Sequence, residues 1–391
     1  MIRNLKLFLR ARSDMKAFLA LPQPSRKIVF YSEDTHSMIH FEEIIKSLIE
    51  DHNERVCYLT SDPRDPVFEK KSERFLPFYI GEGAVRTALF HSLPVGLLIL
   101  TMPDLGTFHL KRSQTYNVHY LYLFHAMAST HWNYRKGAFD NYDTIFCTGP
   151  HQIDEIRETE RVYGLESKQI YKDGYRRLES LMDEVAQYLE GRGPEVDTEQ
   201  KTIVVAPSWG ANAILETCGE EVVAHLLDSG YRTVVRPHPM TTKHKPKLLQ
   251  AIDTKFKANP LFELQVDIRN KSTLYESHAM ICDWSGVAME YAFACERPVI
   301  FIDVPRKCNN PEADKISIEP IESSLRGKIG KIVSPERLET LSAEIEAIYS
   351  DRESFLNRIR SIRQESVFNL GNSLDGAINE IVRIANQSVS D

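Results

Sequence analysis

Short apolar runs alternate with amphipathic stretches along most of the chain. KIVFYS (27–32), RVCYLT (55–60), VGLLILT (95–101), VHYLYLF (118–124) and TIFCT (144–148) read as buried strands. Between them, HFEEIIKSLIEDH (40–52) carries Phe41, Ile44, Ile45 and Leu48 at helical spacing, and further helical stretches fall near 82–92 and 150–162. Residues 188–201, YLEGRGPEVDTEQK, break the pattern and read as a linker. The alternation then restarts. TIVVAP, YRTVVRP, AMICD and RPVIFID are strands; EEVVAHLLDSG, HKPKLLQAIDTKF and GVAMEYAFA are helices. SPERLETLSAEIEAIYS (334–350) predicts one helix with Ser334 as its N-cap and Pro335 in its first turn; Leu338, Leu341, Ile345 and Ile348 mark its buried face.

Repeated strand–helix alternation predicts α/β architecture: two Rossmann-like, doubly wound domains with a cleft between them. The boundaries expected are a basic N-terminal segment 1–26, a first domain 27–187, the linker 188–201 and a second domain 202–391 that carries the C-terminal helices. A length of 391 residues agrees with two domains. The net charge of -7 argues against nucleic acid as a partner. Six scattered cysteines without a C-x-x-C pair fit reduced thiols of a cytoplasmic protein. The oligomeric state is not legible.

The first residues change this picture in one respect. MIRNLKLFLRARSDMKAFLAL sets Arg3, Lys6, Arg10, Arg12 and Lys16 against Asp14, with Ile2, Leu5, Phe8, Leu9 and Phe18 near one helical face. A basic amphipathic helix over 1–21 suits an anionic membrane surface, the inner face of the cell membrane. The competing expectation is a helix docked on its own domain.

Candidate chemistry sits where strands end, because open α/β sheets bind ligands beyond their C-terminal edges. In VVRPHPMT (234–241) each of Arg236 and His238 precedes a proline, which favours extended backbone and a shared side. That pattern predicts a guanidinium beside an imidazole, an anion site in which the arginine also depresses the histidine's pKa. In CDWSG (282–286) Ser285 and Gly286 open a helix whose free N–H groups suit phosphate, with Glu290 one turn on for ribose hydroxyls. Ser208, Trp209 and Asp283 follow neighbouring strand ends and complete the expected nucleotide pocket. His125 follows VHYLYLF in the first domain and is the candidate general base. There is no D-x-D pair and no His/Asp/Glu cluster at metal spacing, so neither a metal nor a cofactor is expected.

The ordered set of His125 after an apolar strand, GYRRLES (174–180), VAPSWG (205–210), RPHP (236–239) and CDWSG with PVIFID (282–303) resembles the CDP-glycerol glycerophosphotransferase family of teichoic-acid primases and polymerases. The resemblance runs from about residue 28 to 385. It implies a GT-B fold and metal-independent transfer of a polyol phosphate, from CDP-glycerol or CDP-ribitol, to a hydroxyl of a glycan or lipid-linked acceptor in teichoic acid, capsule or cell-wall biosynthesis, with release of CMP. It maps two essential histidines onto His125 and His238, and phosphate contacts onto Arg236, Ser285 and Gly286. The chain departs from the family pattern at Ala126, at Ser208 and Gly210, and at Arg176. The rival readings are a UDP-sugar 2-epimerase, which shares the fold, or another GT-B nucleotide-sugar enzyme, and a non-catalytic membrane-associated scaffold.

Overall fold

The computed structural model describes residues 2–108, 110–190 and 200–387. The chain forms two compact units, one of 1–177, 310–318 and 367–391, the other of 178–309 and 319–366.

The first unit is built on seven parallel strands: β1 Ile28–Ser32, β2 Val56–Thr60, β3 Phe75–Tyr79, β4 Leu97–Leu100, β5 His119–Leu123, β6 Thr144–Cys147 and β7 Gln169–Lys172. Their order is β3-β2-β1-β4-β5-β6-β7. Every residue of β1, β2 and β4 is buried, as a parallel sheet covered on both faces requires. One face packs on the helix Met38–Glu50 through Phe41, Ile44, Ile45 and Leu48.

The second unit holds β8 Thr202–Val205, β9 Arg232–Val235, β10 Phe262–Leu264, β11 Ala279–Cys282, β12 Val299–Ile302 and β13 Gly330–Val333, all parallel, in the order β10-β9-β8-β11-β12-β13. In each sheet the strand order reverses once, between β1 and β4 and between β8 and β11. Such switch points open a crevice at the strands' C-terminal ends.

Three findings differ from the sequence expectations. The last helix, Ser373–Gln387, does not belong to the second unit: Ala377, Ile378, Ile381 and Ile384 pack into the core of the first, beside Ile28, Phe30 and Phe41. The apolar stripe of that helix is legible in sequence, but not which sheet it covers. Residues 335–350 are not one helix. Ser334 accepts a hydrogen bond from the Glu336 N–H and opens a 3₁₀ segment, Pro335–Thr340, which is kinked within itself at Arg337 (φ -131°) and precedes the α-helix Leu341–Ser350. The four expected apolar positions are buried all the same. The linker expected at 188–201 overlaps the end of the helix Arg176–Leu189, and its residues 191–199 lie outside the described residues.

The N-terminal helix Ile2–Leu19 docks on the edge strand β3. Asp14 accepts a hydrogen bond from the Tyr79 N–H (3.0 Å), Arg10 stacks 4.1 Å over Phe68, and Phe18 meets Phe78 edge-on at 5.5 Å. Phe18 is therefore core, not part of the outer face. Leu5, Phe8 and Leu9 remain 59, 43 and 54% exposed. No helix among the described residues is long and apolar enough to cross a membrane.

Candidate functional site

In the first unit, a cleft of about 250 Å³ opens at the switch point. Tyr31 on β1 and Glu33, Asp34 and His36 after it, Thr101 and Met102 after β4, and His125 after β5 line it, together with His40 from the helix Met38–Glu50. The His125 and His40 rings lie 5.8 Å apart. Burial lowers the pKa of His125, while a hydrogen bond to the Thr101 backbone opposes the shift. Burial also drives His40 down to about 3, with His125, Arg177 and Arg176 adding to the effect. Both rings are therefore neutral near pH 7. The Tyr122 hydroxyl stands 3.4 Å from His125 Nδ1; a neutral imidazole carries one basic nitrogen, which is what a general base needs.

The His125 loop is held from two sides. Tyr175 donates its hydroxyl to the His125 carbonyl (3.1 Å). Gln152, wholly buried, donates to the carbonyls of Ala126 (3.1 Å) and Ala128 (3.3 Å), while its own oxygen accepts from the Thr148 N–H (2.7 Å). Tyr175 sits in the quoted stretch GYRRLES; Gln152 and His40 left no signal beyond helical spacing. Gly174 (φ +118°) is required where it stands, because a Cβ there would lie 2.6 Å from the Phe368 carbonyl oxygen. Arg176 is spent on Asp173, in a buried pair at 2.7 and 2.8 Å.

In the second unit the expected nucleotide residues divide. Asp283 is buried, and its carboxylate accepts from three backbone N–H groups: Ser208 (2.7 Å), Trp284 (2.7 Å) and Ile214 (3.1 Å). It ties the end of β11 to the loop after β8, so Asp283 and the Ser208 backbone shape the crevice from within. Arg236 is 7% exposed; its guanidinium donates to Gln265, to the Asn270 carbonyl (2.6 Å) and to the Ile268 carbonyl (3.1 Å). The expected open guanidinium beside His238 is thus not what forms. Arg236 organises the loop 265–270 instead, because that loop brings three acceptors within its reach.

His238 does stand at the crevice. It precedes the helix Pro239–His244, and its Nδ1 accepts from the Met240 N–H (3.1 Å). That bond fixes the neutral tautomer with its proton on Nε2, a hydrogen-bond donor. Its ring lies 6.1 Å from that of Trp209, inclined by 30°. The pKa of His238 is lowered as expected, but by burial first and then by Lys307, against Asp283; Arg236 plays no part. Ser285 and Gly286 stand where expected, at the start of the helix Val287–Cys295. Gly286 is the N-cap, no side chain caps the helix, and Glu290 lies in its first turn. Free N–H groups there suit an anion. Among the described residues, no group of three or more His, Cys, Asp or Glu is placed to hold a metal ion.

A family model described as CDP-glycerol:poly(glycerophosphate) glycerophosphotransferase matches residues 100–307, a span that includes His125, His238 and the helix start at Gly286. The chain belongs to this glycerophosphotransferase family. The resemblance carried by the motifs is borne out, and the enzyme is a CDP-glycerol-type transferase. Among solved structures it is similar to the wall teichoic acid polymerase TagF (14% identity, 99% of this chain and 96% of that chain, TM-score 0.59). It is also similar to a putative UDP-N-acetylglucosamine 2-epimerase from Listeria monocytogenes (13%, 93% and 96%, TM-score 0.58) and to the UDP-GlcNAc 2-epimerase from Neisseria meningitidis (12%, 91% and 99%, TM-score 0.54). At these identities the likeness is one of fold: the transferase has the two-domain GT-B architecture. A search of curated protein sequences found no significant match.

Proposed function

We propose that this transferase moves glycerol phosphate from CDP-glycerol to a hydroxyl of a glycan or lipid-linked acceptor and releases CMP. The acceptor O–H gives its proton to His125. The freed oxygen attacks the β-phosphorus, the bond from that phosphorus to the bridging oxygen breaks, and CMP leaves with the bridging oxygen. His238 donates its Nε2 proton as a hydrogen bond to the diphosphate, and the helix start at Ser285 and Gly286 receives phosphate oxygens. Glu290 takes the ribose hydroxyls, and Trp209 lines the pocket. Charge is neutralised by protein groups, without a divalent ion. The observation that carries the reading is the pair of imidazoles at strand ends, His125 in the cleft and His238 with its proton fixed on Nε2, both inside the span matched by the family.

The enzyme works, in this reading, at the cytoplasmic face of a membrane. The exposed Leu5, Phe8 and Leu9 beside Lys6 and Arg12 support it: apolar side chains enter the headgroup region while cations meet anionic lipid. Vesicle flotation tests this part. Anionic vesicles should retain the protein, Leu5→Ser/Phe8→Ser/Leu9→Ser should release it, and equal retention of both would rule the surface out.

Calorimetry with CDP-glycerol, CDP-ribitol, CMP and UDP-GlcNAc, in chelator, tests the donor. Binding of a CDP-polyol together with CMP release on adding acceptor is expected. A preference for UDP-GlcNAc would move the protein to the epimerase class.

A further inference from the structure

Arg236 is turned inward, so the donor crevice of the second unit needs another cation for two phosphates. The loop after β12 supplies one. Lys307 places its ammonium 4.6 Å from the centre of the Trp209 ring and donates to the Trp209 carbonyl at 3.1 Å. That uses one of its three donors. No carboxylate lies within ion-pair distance of it among the described residues. Trp209 in turn stands 6.1 Å from His238, ring centre to ring centre. Ammonium and imidazole therefore both lie close to one indole that is 38% exposed.

The position is fixed from below. Trp284, two residues past β11, donates its indole N–H to the Val304 carbonyl (2.9 Å), and Arg326 pairs with Asp303 (2.8 Å) while stacking 4.0 Å from the Trp284 ring. The chain leaving β12 is thus anchored just before Lys307. Burial lowers the Lys307 pKa, and Asp283 and Glu216 oppose that shift; a half-desolvated ammonium gains more from an incoming anion than a hydrated one.

We propose that Lys307 is the cationic ligand of the donor's diphosphate, acting together with His238 beside Trp209 and taking the place the sequence suggests for Arg236. The ligand class is a nucleoside diphosphate ester. Lys307 meets the negative charge that builds on the leaving CMP, and His238 meets the same group through Nε2–H. The assignment rests on the CDP-polyol reading, and the test separates the two.

Cytidine, CMP, CDP and CDP-glycerol are titrated calorimetrically into the full-length wild type, Lys307→Met and Lys307→Arg, with thermal unfolding as a control. Lys307→Met should weaken CDP and CDP-glycerol by about tenfold to a hundredfold, CMP less, and cytidine not at all. Lys307→Arg should recover most of the loss, since the charge is kept. CMP release should fall in the same order. If the wild type binds CDP-glycerol and Lys307→Met binds it equally well, Lys307 is not the ligand and the donor reading stands. If cytidine binding falls as far as CDP binding, the side chain shapes the pocket without holding phosphate, and the proposal fails. If the wild type binds no cytidine diphosphate, the donor reading falls and the Lys307 assignment with it.

Discussion

At the scale of single residues, the same side-chain types play opposite parts according to what lies within reach. Arg236 and Asp283 look like ligand residues in sequence and are internal braces in the structure. Asp283→Ala would orphan three backbone N–H groups at a buried site and should cost about 3 kcal/mol of stability. Urea unfolding reads this out; a variant as stable as wild type, with only weakened nucleotide binding, would restore Asp283 to a ligand role. His125 is the contrary case. His125→Ala should lose about 10²–10⁴ in turnover while CDP-glycerol affinity stays, because a base acts on the acceptor and not on the donor. Since burial lowers the pKa of both His125 and His238, the acid limb of kcat/KM should lie below the ordinary imidazole value of about 6.5. A limb above that value would show that neither lowered histidine controls the rate.

At the scale of elements, the strands named by their apolar runs are the interior ones. The pattern missed β3, β7, β10 and β13, and these are the edges of the two sheets. An edge strand is covered less evenly: β7 has no buried residue, and β13 is buried only at its ends. β3 carries Pro77, which an edge tolerates and a central strand does not. The N-terminal helix then covers this edge through Asp14 and Phe18, a use that its basic, amphipathic sequence does not announce. The loop holding His125 is likewise set by elements distant in sequence. Gly174→Ala would push a Cβ against the Phe368 carbonyl in left-handed backbone, and should lower the melting temperature and the turnover together, because Tyr175 beside it holds the His125 carbonyl. Lowered turnover at an unchanged melting temperature would contradict that coupling.

At the scale of the whole molecule, buried neutral histidines tie stability to pH. The pKa of His40 falls to about 3 and that of His151 to about 4, in both cases chiefly through burial. Between those values and about 6.5 the unfolded chain binds more protons than the folded one, so stability is fully present above about pH 6.5 and declines below it. His40→Gln should flatten that decline: the gap between urea midpoints at pH 7.5 and pH 5 should shrink relative to wild type. An unchanged gap would mean that His40 titrates normally in the folded state.

The α/β class, the repeated strand–helix unit and the strand ends where chemistry belongs are all legible in the residue order alone. Those are local matters: side-chain period, proline and glycine placement, and the polar residue that follows an apolar run. Its ordered motifs also carried the family. Tertiary structure decided which strands form the edges, that the last helix returns to the first unit, and which polar groups at the strand ends stay available. Arg236 was lost to the loop 265–270, and His238 gained its tautomer from the Met240 N–H. Lys307 was drawn in from a loop with no motif of its own. Availability of a polar group depends on the acceptors and donors that folding brings within hydrogen-bond distance, and those come from parts of the chain whose spacing along the sequence says nothing of their distance in space.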